Sequence, residues 1–69
     1  MSKEETKQLQ KVRELYDRLL IFYNMEKSEG PRPHIRQGLL KTKEEFDREN
    51  SFLSEENRIK NTIKLQLTA

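Results

Sequence analysis

The chain has 69 residues, 38% of them charged and 32% hydrophobic, with no cysteine and a formal net charge of +2. A chain this short buries only about 60% of its unfolded surface, which leaves room for one small domain over residues 1–69 and little interior for an enclosed active site. No apolar run reaches the roughly 18 residues that span a bilayer, and the opening MSKEETKQ has no apolar core of a secretory signal and is too acidic for a mitochondrial presequence.

The densest apolar stretch comes first, LQKVRELYDRLLIFYNM over residues 9–25. At 100° per residue, Leu9, Val12, Leu15, Tyr16, Leu19, Leu20, Phe22 and Tyr23 fan across one helical face of roughly 160°. Ile21 and Met25 project from the other side. The pattern predicts a first helix over about residues 4–26. Ser2 with Glu5 forms a capping box at its start, and Glu4 and Glu5 complement the helix dipole. A Gly/Pro turn over residues 28–33 (Ser28-Glu29-Gly30-Pro31-Arg32-Pro33) ends it.

A second helix is expected over about residues 34–50, with Pro33 in its first turn. Ile35, Leu39, Phe46 and Leu53 line one stripe. Gly38 lies inside the helix at a cost of about 1 kcal/mol against Ala, either marking where the helix proper begins or admitting a close neighbour. Beyond Leu53 the apolar stripe moves by roughly 100° to Phe52, Ile59, Ile63 and Leu67. Two arrangements satisfy that shift. Either the chain breaks at Asn50-Ser51, with Ser54 capping a third helix over about residues 55–67, or the second helix continues and winds its contact face around the first. The fold class is therefore all-α: an antiparallel helical hairpin or a small three-helix bundle. The break is the favoured arrangement.

Catalytic chemistry leaves no trace. His34 is the one histidine, with no thiol or carboxylate at metal-ligand spacing around it, and it flanks the proline turn as a solvated loop residue. Glu44, Glu45, Asp47, Glu49, Glu55 and Glu56 alternate with Lys and Arg, as on a solvated helix surface. Phosphate-binding glycine loops and nucleophile elbows are absent. No enzyme activity, cofactor or metal is expected.

A face as wide as that of the first helix exceeds what one antiparallel neighbour covers, so the expected activity is binding of another protein, or self-association, through helices. The residues expected to carry it are Leu15, Tyr16, Leu19, Phe22 and Tyr23, with Ile21 and Met25 as a second surface. A further alternative, a weak nucleic-acid binder, would use Arg32, Arg36, Lys41, Lys43 and Arg48; the acids interleaved among them argue against it, and nucleic acid is not the expected partner. The seven-residue step of Leu39, Phe46 and Leu53 allows a coiled-coil role, interrupted by Lys60. A soluble, intracellular protein is expected, in no particular compartment.

Val12-x-x-Leu15-Tyr16-x-x-Leu19-Leu20, Leu39 with Lys41 and Lys43 before Phe46, then Asn50 and Ile59, resembles the order of landmarks in the LYR-motif family. These are small three-helix mitochondrial adaptors. The resemblance covers residues 12–67 and implies an assembly adaptor that binds acyl carrier protein, with Lys41 and Lys43 facing the phosphopantetheine phosphate. Asp17 stands where the family's triplet has Arg, and Phe46 and Asn50 are one residue further apart than in the family's Phe-x-x-Asn.

Overall fold

The computed structural model describes residues 3–68, without the side chain of Thr68, and is all-α. Three helices follow in order: α1 (Lys3–Glu29), α2 (Pro33–Asn50) and α3 (Glu55–Thr68). They form a small elongated bundle of 41 × 19 × 13 Å.

Helix α1 runs three residues past the expected end at 26. The reason is local: Ser28 and Glu29 tolerate helical geometry, whereas Gly30 adopts φ +84° and closes the helix with its N–H on the Glu26 carbonyl at 2.9 Å. Only a residue without Cβ takes that left-handed conformation at no cost. Pro33 then opens α2 as its first residue. Of the expected capping box, Ser2 lies outside the described residues; Glu5 is used elsewhere, as described below.

The hairpin of α1 and α2 holds most of the core. Val12, Leu15, Tyr16 and Leu19 from α1 pack with Phe46 of α2, Leu53 of the following turn and Leu65 of α3. Phe46, Leu19, Ile35 and Val12 are the largest fully buried side chains. Leu9, Leu20, Tyr23 and Leu39 pack on this cluster half-buried. Gly38 resolves as a close-approach site: a Cβ there would lie 2.5 Å from Cε1 of Phe22, whose ring occupies that space.

The chain breaks between α2 and α3, as favoured from the sequence. Ser51 N–H bonds to the Asp47 and Arg48 carbonyls, Phe52 N–H to Glu49 and Leu53 N–H to Asn50 at 3.1 Å, so the end of α2 tightens to three-residue steps. That tightening turns Leu53 into the core, 6% exposed. The Ser54 carbonyl accepts the Arg58 N–H at 2.9 Å, the first bond of α3.

Candidate interaction surface

Helix α3 attaches to the hairpin in an unexpected orientation. Its inward stripe is Asn57, Asn61 and Leu65, spaced four apart, of which Leu65 alone enters the core. Glu5 of α1 binds the head of the helix: its Oε1 accepts the Ser54 N–H at 2.9 Å and the Asn57 Nδ2 at 3.2 Å. Asn50, 7% exposed at the end of α2, accepts a 3.0 Å bond from Asn61 Nδ2 and donates to the Arg58 carbonyl at 3.4 Å. Further along, the Lys64 ammonium sits 4.6 Å from the centre of the Tyr16 ring, a cation–π contact. Side-chain amides and one carboxylate therefore do at this interface much of what leucines do between α1 and α2.

The outward face of α3 is the apolar one. Ile59, Ile63 and Leu67 are 51%, 50% and 84% exposed, and Phe52, just ahead of the helix, is 66% exposed. On the helical wheel Ile59, Ile63 and Leu67 lie roughly 160° from the stripe of Asn57, Asn61 and Leu65. The apolar stripe that the sequence shows beyond Leu53 thus faces solvent. Hydrogen-bonding groups on Asn50 and Glu5 select the amide face, because a buried amide or carboxylate left unpaired costs more than an exposed isoleucine.

The binding residues expected on α1 fall into three groups. Leu15, Tyr16 and Leu19 are buried at 7%, 9% and 0% exposure against the rest of the chain, which corrects their assignment to a partner surface. A face too wide for one neighbour is met by two, α2 on one flank and α3 on the other. Phe22 and Tyr23 are half-buried, Phe22 over Gly38 and Tyr23 against the core. Ile21 remains 59% exposed on the side of α1 turned away from the core, and Met25 is half-buried. The seven residues do not form one patch.

Several charged groups form ion pairs at the surface. Lys43 meets Asp47 at 3.3 Å, Arg48 meets Glu49 at 3.7 Å and Arg36 meets Glu26 at 3.9 Å. Glu49 is buried, with Lys11 Nζ 2.7 Å from its carboxylate, and that hydrogen bond is the chief reason its carboxyl titrates below the ordinary range, against the opposing effect of burial. Glu5 is likewise held low, first by the Ser54 N–H, then by the Ser54 hydroxyl and Asn57. His34 is exposed. Among the described residues no cluster of three or more His, Asp or Glu comes together to hold a metal ion, and no helix is long and apolar enough to cross a membrane.

Neither Leu65 nor the amide pair was read as contact-forming from sequence. The available signal was the four-residue spacing of Asn57, Asn61 and Leu65, a second stripe running beside the apolar one. Comparison with protein-family models, with curated proteins and with solved structures finds no match.

Proposed function

We propose that this chain is a small non-catalytic interaction module, an adaptor or assembly factor, that binds another protein through the outward face of α3. The observation that carries the reading is the orientation of that helix. Its amide face is turned to the hairpin by Glu5 and Asn50, and Phe52, Ile59, Ile63 and Leu67 are left in solvent. Three large apolar side chains spaced four apart on α3, with Phe52 in the turn before it, leave an exposed apolar patch of the kind that marks interaction sites. The mechanism is helix-on-helix burial of the stripe, with charged residues on its flanks setting orientation.

The test compares the chain with an Ile59→Asp/Ile63→Asp variant as immobilised baits. Proteins retained by the first and lost by the second, at equal helicity, support the reading. Equal retention by both sinks it.

A second reading is an adaptor of the LYR-motif kind that engages acyl carrier protein. The three-helix architecture with Lys41 exposed on α2 favours it. Asp17 at the position of the family's Arg stands against it, and the ion pair of Lys43 with Asp47 already engages one of the two lysines it would need. Co-purification with an acylated carrier protein is its test.

A further inference from the structure

We infer that α3 has a second docked state, turned by roughly 160° about its own axis, in which Ile59, Ile63 and Leu67 lie against α1 and the binding face is hidden. Glu5 and Asn50 hold the helix in the state observed. This rests on the reading of the outer face of α3 as the binding face, and names what regulates it.

Two stripes of equal spacing make the exchange possible. Asn57, Asn61 and Leu65 face the hairpin, and Ile59, Ile63 and Leu67 repeat the same four-residue step two positions further on. Rotation by roughly 160° with a slide of about 3 Å, the rise of two residues, sets each member of the second stripe where a member of the first stood. Two half-buried asparagines then give way to isoleucines, and the core leucine gives way to another leucine.

The seam between α1 and α3 has room for the larger side chains. A cleft of about 780 Å³ runs along it, lined by Leu9, Val12 and Tyr16 on the side of α1 and by Asn61 and Lys64 on the side of α3. The amide stripe leaves this apolar wall incompletely covered, and isoleucines would add the missing contacts.

Polar groups on the hairpin oppose the exchange. Glu5 Oε1 accepts the Ser54 N–H at 2.9 Å and Asn57 Nδ2 at 3.2 Å, and the slide breaks both bonds. Asn50, 7% exposed, would face an isoleucine in place of Asn61, its present partner at 3.0 Å. A buried amide that loses its partner is costly, so the observed state is the favoured one and the hidden state is its reserve. A partner of the outer face draws on the observed state alone. Each increment of the hidden state therefore lowers apparent affinity in proportion.

Thiol modification rates test the inference in a chain that has no cysteine of its own. Ile63→Cys and Leu65→Cys are introduced singly, in the parent chain and in a Glu5→Leu/Asn50→Leu background, with each rate taken relative to the same chain in urea. In the parent chain Ile63→Cys should react fast and Leu65→Cys slowly. In the doubly substituted background that order should reverse, with Ile63→Cys slowed about tenfold or more as its exposed fraction falls. Asn61→Cys, on the same inward stripe, repeats the measurement without touching the core leucine. The reversed order supports the inference. Fast thiols on both faces mean that α3 merely detaches, and an unchanged order means that Glu5 and Asn50 do not choose the face; either overturns it. Retention of other proteins by the parent chain separates the two readings. Stripe-dependent retention without reversal leaves the binding face standing and the second state wrong. Reversal without any stripe-dependent retention leaves the second state standing and the binding face wrong.

Discussion

The Glu5 carboxylate accepts the backbone N–H of Ser54 at 2.9 Å across 49 residues of sequence, so the first helix caps the third. Glu5 sits at the positive end of α3 and also holds Asn57, and those bonds depress its titration below the ordinary value of 4.5. Glu49 is depressed by Lys11 at the same end of the molecule. A carboxyl that titrates lower when folded contributes stability that is complete above the unfolded value, and that stability is lost as pH falls through the folded one. Urea midpoints should therefore be flat from pH 7 to about pH 5 and fall on further acidification. Amide exchange should show α3 released before the hairpin. In a Glu5→Gln variant the acid-dependent loss of α3 should be diminished.

Among the described residues, Leu65 is the only α3 side chain in the core cluster, which makes the orientation of the helix directly testable. Leu65→Ala should cost about 2–3 kcal/mol, with the increase in amide exchange concentrated in α3. Ile63→Ala, on the exposed face, should change monomer stability by less than about 0.5 kcal/mol. The opposite ranking, measured by denaturant unfolding at a concentration where the chain is monomeric, would mean that the helix packs by its isoleucine stripe.

Asn50 links the end of α2 to two points on α3. Asn50→Ala removes the acceptor of Asn61 Nδ2 and one donor to the Arg58 carbonyl, which keeps its 2.9 Å bond from the Thr62 hydroxyl, and should destabilise the chain by about 1–3 kcal/mol. Asn61→Ala removes one of the two and should cost less. A double variant costing less than the sum of the two would show that the amides act as a unit.

At Gly38, helix propensity and packing oppose each other. Alanine gains about 1 kcal/mol of propensity, yet its Cβ would stand 2.5 and 2.6 Å from two Phe22 ring carbons. Overpacking of this kind typically costs 1–3 kcal/mol. Gly38→Ala alone should be neutral to destabilising. In a Phe22→Leu background, where the ring is gone, the same change should stabilise. Thermal melts of the four chains complete that cycle.

Much of this architecture was legible in the residues themselves. Gly30, Pro31 and Pro33 dictate where α1 ends and α2 begins, because left-handed φ and a missing N–H are properties of single residues. Asn50, Ser51 and Ser54 marked the second break for the same reason: their side chains compete for nearby backbone groups. The stripe of Ile35, Leu39, Phe46 and Leu53 likewise marked the inward side of the second segment: three of the four are buried and Leu39 is half-buried against the core.

Tertiary structure alone decided what covers each apolar face. Periodicity shows that Leu15, Tyr16 and Leu19 must be buried but is silent on whether α2, α3 or another protein does it, since the hydrophobic effect has no direction. On α3 the longest apolar stripe faces out. A helix's rotation about its own axis is chosen by the partners its neighbours offer. Here a buried Asn50 and the Glu5 carboxylate, supplied by segments 11 and 52 residues away from Asn61 and Asn57, outweighed the apolar stripe.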